Sequence, residues 1–289
     1  MQSDILKKIH LAAESLPKNQ RIVADYIMNN WDTVLHESSP AVAKKLGVSQ
    51  STVMRTVRGF GYAGFPDFQK ELLGMFHERM STIRRIEGIS QSQKGKGLEE
   101  TISSVFELQK KNIDIARYNI NPETVKKCTD AIWSAENVMV LGLRTASGLS
   151  HYLGFHLSMI RKNVTIMSNE YSLLENIQQL GKKDVVIAFS FARYYRATIT
   201  AVGLARKRKC KIIGITDEAA SPLTPLADSI FFTPVASMHF STSYIAAFLL
   251  IDVLLNAIGL AHKEHVSKTL TVLEEAFKSL KTHVYLPNE

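Results

Sequence analysis

The segment 39–58 carries small, turn-forming and basic residues at the spacing of a helix-turn-helix. Ala43 fits the point where two helices cross, and Gly47 tolerates the positive φ of the turn between them. Ser49 can cap the second helix, and Val53 would face back to the first. The pattern therefore predicts two short helices within this segment, the second of which contacts DNA.

The charge of this segment favours a polyanionic partner. No acidic residue lies between Ser38 and Pro66, and the whole chain has a net charge of +8. We expect the start of the second helix to face base edges and the flanking cations to contact phosphates. The alternative is a plain helical hairpin with a basic face. The candidate DNA contacts, placed on the solvent side of the second helix or beside it, are Lys44, Lys45, Ser49, Gln50, Ser51, Thr52, Arg55, Thr56 and Arg58.

Polar and basic residues also follow two short apolar runs in the C-terminal part. In open parallel sheets, ligands bind beyond the carboxyl ends of the strands, where helix N-termini attract anions. Arginines at both ends predict a pocket for phosphate or carboxylate. The alternative is that these arginines are solvated or pair with Glu170, Glu175 or Asp217. The candidate effector contacts are Gly142, Arg144, Thr145, Ser147, Ser190, Arg193, Tyr194, Tyr195, Arg196 and Asp217.

Residues for other kinds of chemistry lack suitable partners in the sequence. Cys128 and Cys210 make neither a disulfide framework nor a metal cluster. His151, His156 and His239 have no partners at ligand spacing, so we interpret them as structural. We therefore expect no catalytic residue, no metal and no cofactor.

Five short apolar runs predict the sheet that must position the second candidate site. Helical segments separate most of them, and short β-branched runs of this kind are typical of a parallel sheet buried on both faces under helices. The helix near 241–260 is apolar nearly all round, so it should pack in the core or at a subunit interface. The predicted strands are Val138–Leu141, Val164–Met167, Val185–Phe189, Lys211–Thr216 and Ser229–Phe232.

The length of 289 residues allows two domains in an α/β protein overall. We expect an all-α helix-turn-helix domain at 1–77, a linker and connecting helix at 78–107, and a five-stranded parallel α/β domain at 108–289. The chain starts without an apolar signal core, and its apolar runs are too short for a membrane span, so we expect a soluble, cytoplasmic protein. The apolar face of the connecting helix consists of Ile102, Val105, Phe106 and Ile113.

Further motifs resemble those of a known family. Gly61-Tyr62-Ala63-Gly64-Phe65-Pro66 follows the helix-turn-helix, and Ile215-Thr216-Asp217 ends the fourth strand. Together with the five-stranded part, these motifs resemble the RpiR (MurR/RpiR) family of bacterial transcriptional regulators, over nearly the whole chain. The resemblance implies a C-terminal SIS (sugar isomerase) domain and dimers or tetramers. It also implies a double-stranded DNA operator with inverted half-sites, and control by a metabolite, usually a sugar phosphate.

Two loops depart from the pattern of that family. The loop after the first strand is usually Gly-x-Gly-x-Ser, and here Arg144 and Ala146 replace the second Gly and the Ser. The loop after the third strand is usually Ser-x-Ser-Gly-x-Thr, and here only Ser190 is kept while Arg193 takes the Gly position. Both arginines can bind an anion through their side chains. A carboxylated or otherwise non-standard ligand is therefore expected as readily as a sugar phosphate.

The leading hypothesis is a DNA-binding regulator with a metabolite-sensing SIS domain, and not an enzyme. One alternative is a sugar-phosphate isomerase, for which Glu170 and Glu175 are the nearby candidate bases. Another is a regulator whose SIS domain only oligomerises and binds no ligand. We expect DNA, an anionic small molecule and further copies of the chain as partners, and no membrane.

Overall fold

The computed structural model describes residues 5, 9, 12–13, 16–30, 34, 37–80, 86, 89, 95–219 and 221–282, with the backbone alone at 29 and 73–80. The chain divides into two compact units, Met1–Lys94 and Gly95–Glu289. The division falls inside the predicted connection 78–107, and the helix that follows it runs unbroken past 107. The predicted domain limits stay a prediction, and most of the linker lies outside the described residues.

The N-terminal unit contains a bundle of short helices. Its helices α1 and α2 both contact the third helix, α3. Aliphatic and aromatic side chains such as Val23, Ile27, Val57 and Phe68 are fully buried between them. Helices this short owe their stability to such packing more than to their own propensity. The bounds are α1 (Lys18–Asn29), α2 (Ser39–Leu46), α3 (Gln50–Gly59) and α4 (Phe65–Met80).

The turn between α2 and α3 has the structure that the sequence predicts. Gly47 ends α2 with a φ of 65°, in the left-handed region that favours glycine. The hydroxyl of Ser49 caps α3 by accepting a hydrogen bond of 3.2 Å from the backbone N–H of Thr52. Ala43 and Val53 are buried in the core that α2 and α3 share. The helix-turn-helix geometry is therefore confirmed.

The C-terminal unit contains a five-stranded parallel sheet in the order β2–β1–β3–β4–β5. The predicted strands and their parallel pairing are confirmed. The edge strands β2 and β5 are partly exposed, which corrects the expectation that all five are buried on both faces. Each edge strand has a neighbour on one side only. The bounds are β1 (Val138–Gly142), β2 (Val164–Met167), β3 (Val185–Phe189), β4 (Lys211–Thr216) and β5 (Ser229–Phe232).

Helices cover both faces of this sheet. Helices α6, α7 and α10 pack on the face that carries Val140 and Ile187, and α8 and α9 pack on the face that carries Met139 and Val186. A Cβ atom on Gly154 of α7 would lie 2.4 Å from the Ile166 side chain of β2, so this glycine allows α7 to approach the sheet closely. The bounds are α5 (Leu98–Asn119), α6 (Pro122–Ser134), α7 (Ser147–Ile160), α8 (Leu173–Gln179), α9 (Arg196–Lys207), α10 (Ile245–Ala261) and α11 (Lys263–Ser279).

Helices α5 and α10 contact each other and leave apolar side chains on the surface. In α5, Phe106 is 66% exposed, and the residues of this helix that are buried are Asn112 and Ala116. Helix α10 lies in the core along one face, as predicted, but Ile245 and Leu260 of the same helix are exposed. Within the described residues no single helix is long and apolar enough to span a membrane. The pair α10 and α11 passes that test only when joined, across a bend of 102°.

Candidate functional site

The exposed face of α3 carries the polar and basic side chains expected for a DNA-reading helix. Gln50, Ser51, Arg55 and Arg58 are exposed. The Arg55 Nε donates a hydrogen bond of 3.3 Å to the backbone carbonyl of Ser51, one turn earlier. The Arg58 Nε donates one of 3.4 Å to the carbonyl of Ala63, beyond the end of the helix. Both guanidinium groups are therefore anchored at one end.

Two of the predicted contacts face the other way. Thr52 is 7% exposed and Thr56 is fully buried, so their placement on the solvent side of α3 was wrong. The Thr56 hydroxyl donates to the Thr52 carbonyl at 2.8 Å, and the Thr52 hydroxyl lies 2.8 Å from the Ser49 hydroxyl. Residues 52, 53, 56 and 57 share the inward face at helical spacing, and the threonines satisfy their hydroxyls locally.

The predicted phosphate contact Lys45 is already paired within the unit. Its ammonium group donates to Glu37 at 3.0 Å and to the Tyr26 hydroxyl at 2.7 Å. These hydrogen bonds raise the pKa of Lys45 above its ordinary value, first through Tyr26 and then through Glu37. Burial is the main cause that raises the pKa of Tyr26. The neighbouring Lys44 is exposed on α2. Lys44 therefore fits the predicted role better than Lys45.

In the C-terminal unit, two predicted effector residues have an unusual backbone. Arg144 has a φ of 55° and Arg193 a φ of 75°, in the left-handed region where a side chain costs about 1–2 kcal/mol. They occupy the loops that leave β1 and β3. A Cβ atom on Gly142 would lie 2.4 Å from the Ala146 carbonyl oxygen, so β1 passes into α7 through a very tight turn. Both arginines therefore keep a backbone conformation suited to glycine.

Arg144 lies in a polar cluster at the carboxyl end of the sheet. Its guanidinium carbon is 5.6 Å from the centre of the Tyr195 ring. The Tyr195 hydroxyl donates to the Glu170 carboxylate, and that hydrogen bond is the main cause that raises the pKa of Tyr195. The cluster thus joins the loops after β1, β2 and β3. Arg196 begins α9 and is exposed.

Asp217 fixes the shape of the loop after β3. Its carboxylate accepts hydrogen bonds of 3.1 Å from the Ala192 N–H and 3.1 Å from the Tyr194 hydroxyl. Burial raises the pKa of Asp217, although these hydrogen bonds lower it. Burial and the nearby carboxylates raise the pKa of Tyr194 strongly. Asp217 and Tyr194 therefore support the loop from inside.

Several polar groups lie in these loops near the carboxyl ends of β1 and β3. The Ser190 hydroxyl is buried at the end of β3 and has no hydrogen-bond partner within the described residues. Helix α9 begins next to the loop after β3 without a side-chain cap. Helix α7 follows a 3-10 turn, Arg144–Ala146, and the N–H of its first residue, Ser147, donates to the Arg144 carbonyl. Uncapped helix N-termini present free N–H groups to anions. The sheet therefore brings the arginine loops and these donors to one edge.

One residue that the sequence reasoning missed links the two loops. The Tyr244 hydroxyl lies 2.8 Å from the Thr145 hydroxyl, and the Tyr244 ring is 4.9 Å from the Phe191 ring. Tyr244 precedes α10, about a hundred positions along the chain from Thr145. The apolar pattern of α10 predicts the helix, but no local sequence pattern predicts this contact.

Family models match both units. A model described as a helix-turn-helix domain of the rpiR family matches residues 3–78, and a SIS domain model matches residues 131–257. The chain belongs to the RpiR family of transcriptional regulators. The resemblance seen in the sequence is thereby confirmed.

Two relatives match this RpiR-family chain along nearly its whole length, and a third structure matches part of it. The HTH-type transcriptional regulator HexR of Escherichia coli K12 is 24% identical over 297 residues, covering 99% of this chain and 98% of that protein. The NanR protein of Vibrio vulnificus, solved with ManNAc-6P, is 22% identical with a TM-score of 0.59, over 96% of this chain and 99% of that one. The sugar isomerase domain of an RpiR transcription factor from Sphaerobacter thermophilus is 23% identical with a TM-score of 0.58, over 60% and 97%.

The backbone at Arg144 gives a prediction for the stability of this RpiR-family protein. Arg144→Gly and Arg144→Ala both remove the guanidinium, but only glycine relieves the positive φ. We expect the glycine variant to be more stable than the alanine variant by about 1 kcal/mol in denaturant unfolding. As a control, Lys111→Gly should be less stable than Lys111→Ala by about 1 kcal/mol, because Lys111 is an exposed residue in the middle of α5. Equal stability of the two Arg144 variants would contradict the claim that the positive φ at position 144 strains the backbone.

Asp217 gives a prediction for the dependence of stability on pH. Its pKa is higher in the folded protein than the ordinary 3.8, so the stability that it contributes is present below that value and is lost as pH rises through the folded pKa. Asp217→Asn should therefore gain stability relative to the wild type as pH is raised from about 4 to about 7. Urea unfolding at several pH values measures this, with the exposed Asp114→Asn as control. A difference in unfolding free energy between Asp217→Asn and the wild type that does not change with pH would contradict this prediction.

Proposed function

We propose that the chain is a cytoplasmic regulator that binds an operator through α3 and changes its operator affinity when its SIS domain binds an anionic metabolite. The observation that carries the effector part is the pair Arg144 and Arg193, held at positive φ beside the carboxyl end of the sheet. Strained backbone positions of this kind cluster at ligand-binding and active sites. A guanidinium at each strand end suits a phosphate or a carboxylate.

The DNA-binding part rests on the exposed face of α3. Gln50 and Ser51 lie in its first turn, where residues of a recognition helix reach base edges. Arg55 follows one turn later and can contact a guanine or a phosphate, while Lys44 and Arg58 are placed for phosphates. Thr52 and Thr56 are buried, and Ser49 is engaged as the N-cap. The proposed reading set is therefore Gln50, Ser51 and Arg55.

The effector is proposed to be a sugar phosphate or a carboxylated metabolite. The NanR neighbour was solved with a sugar phosphate, which supports the first. Side-chain guanidiniums in place of glycine support a ligand that is held by arginine side chains in addition to backbone N–H groups. The proposed contacts are the Ser190 hydroxyl, the start of α7, Arg144, Arg193 and Arg196, with Thr145 and Tyr195 beside them. Gly142, Tyr194 and Asp217 would act through the shape of the loops.

Coupling between the sites is proposed to follow from self-association. Exposed apolar side chains on α5 and α10 offer a surface that a second copy would cover, which supports a dimer or tetramer. Operators with inverted half-sites place two recognition helices about 34 Å apart, so a shift of a few ångströms changes the fit. The effector then acts through the difference in its affinity for the two arrangements.

An isomerase is less well supported than a regulator. Glu170, one of its two candidate bases, accepts a hydrogen bond from Tyr195, and the other, Glu175, is exposed on α8. HexR, which this chain matches over nearly its whole length, is a transcriptional regulator by name. We therefore propose that the chain has no catalytic activity.

The DNA-binding proposal predicts the effect of Arg55→Ala. The affinity for a duplex selected by the wild-type protein from a random library should fall about ten- to a hundredfold, because a good base contact by arginine is worth about 1–3 kcal/mol. Fluorescence anisotropy measures it. Arg21→Ala, an exposed arginine on α1 outside the helix-turn-helix, removes the same charge and should cost much less. An equal loss of DNA affinity in the two variants would contradict a base contact by Arg55 and would indicate that it contributes only its charge.

The effector proposal predicts which variant loses ligand stabilisation. Thermal unfolding with inorganic phosphate, sugar phosphates and hydroxycarboxylates should show at least one stabilising compound, by about 2.7 kcal/mol at a hundredfold excess over its Kd. Arg144→Gly, which keeps the loop conformation, should lose most of that gain. Lys207→Ala, an exposed cation at the far end of α9, should keep it. Stabilisation that survives in Arg144→Gly would place the ligand elsewhere.

A further inference from the structure

The segment between β5 and α10, residues 233–244, is held at both of its ends by polar groups from other elements. We call residues 143–146 after β1 and 190–195 after β3 the effector loops. At the α10 end of the segment, Tyr244 contacts Thr145 and Phe191 of these loops. Next to it, the Ser243 hydroxyl donates a hydrogen bond of 2.8 Å to the Gln109 side chain of α5. Adjacent residues of this β5–α10 segment therefore contact the effector loops and α5.

Helix α5 holds the other end of the β5–α10 segment with two amide side chains. The Ala236 carbonyl accepts 2.8 Å from the Asn112 Nδ2 and 3.4 Å from the Gln109 Nε2. The Asn112 Nδ2 also donates to the Gln109 Oε1 at 3.0 Å. Asn112 is 2% exposed, and Ser243 is 7% exposed. The hydrogen bond from Asn112 to Ala236 is partly buried, whereas the longer one from Gln109 is exposed. We therefore expect the loss of the Asn112 bond to be the more costly of the two.

Helix α5 lies in the chain directly after the boundary between the two units. It begins at Leu98, four residues after Lys94. A movement of the effector loops must carry Tyr244 with it or break its contacts, and Ser243 is covalently next to Tyr244. The hydrogen bonds of Gln109 and Asn112 then link this movement to α5.

We infer that Gln109 and Asn112 of α5 are positioning residues that couple the effector loops, through the β5–α10 segment, to the helix that leads to the DNA-binding unit. The inference rests on the proposed function for its regulatory meaning, and it names the residues through which that regulation passes. Neither residue belongs to the proposed effector contacts. Their role is to convert the conformation of Tyr244 into the position of α5.

The first test needs no ligand and uses hydrogen exchange with mass spectrometry on the full chain. Asn112→Ala should speed exchange about three- to tenfold at 235–243, and also at 143–146 and 191–195, which Asn112 does not touch. Tyr244→Phe, which removes only the hydroxyl contact with Thr145, should in turn speed exchange in α5 around 109–116. The control Lys111→Ala, on the exposed side of α5, should leave the loops unchanged.

Gln109→Ala provides a second variant if Asn112→Ala does not fold, because Gln109 is only partly buried and Asn112 keeps its bond to Ala236. Changes confined to α5 and its direct partners at 235–243, with unchanged loops at 143–146 and 191–195, would overturn the inference. So would a Tyr244→Phe variant whose α5 exchanges like the wild type.

A second arm separates this inference from the proposed function. With inorganic phosphate as the probe, wild-type protein should gain protection at 143–146, 190–196 and α5, while the double variant Gln109→Ala/Asn112→Ala should gain it at the loops alone. Absence of loop protection by phosphate counts against the proposed anion site, and the reciprocal effects of Asn112→Ala and Tyr244→Phe then decide the coupling without it. Protection of α5 that persists in the double variant would overturn the coupling.

Discussion

The tight passage from β1 into α7 determines much of the C-terminal unit. A side chain at Gly142 would collide with the carbonyl of Ala146, so the strand must turn within a few residues. That turn puts Arg144 in the left-handed region and sets it over the ring of Tyr195. It also brings Thr145 beside Tyr244. One steric constraint thus places Arg144 over the Tyr195 ring and Thr145 beside the Tyr244 hydroxyl.

In the N-terminal unit, the polar residues of α3 lie on two faces of the helix. The hydroxyls of Ser49, Thr52 and Thr56 are used within the helix-turn-helix, where they cap α3 and satisfy one another. Gln50, Ser51 and Arg55 are left on the outside. A helix that is fixed internally in this way presents its exposed side chains with little freedom, which favours specific contacts.

The sequence allowed the sheet, its strand limits and the helix-turn-helix to be predicted, because apolar runs and capping residues act locally. The prediction that Thr52 and Thr56 face solvent is wrong because it equates polarity with exposure. A threonine can satisfy its hydroxyl on the carbonyl one turn earlier, as Thr56 does. The path through Asn112 and Tyr244 could not be predicted. Its hydrogen bonds join residues about a hundred positions apart or more, and no local pattern encodes such pairs.

The pairing of Lys45 with Glu37 has a consequence for the ion atmosphere of the proposed DNA complex. A cation that arrives with its charge unpaired displaces a condensed counterion from the duplex for each phosphate it neutralises, which gives a slope of about 0.9 per phosphate in a plot of affinity against salt on logarithmic axes. Lys45 brings a carboxylate partner 3.0 Å away. The helix-turn-helix therefore gains less entropy from released ions than its four basic residues suggest, and a larger share of its affinity must come from contacts that salt does not screen.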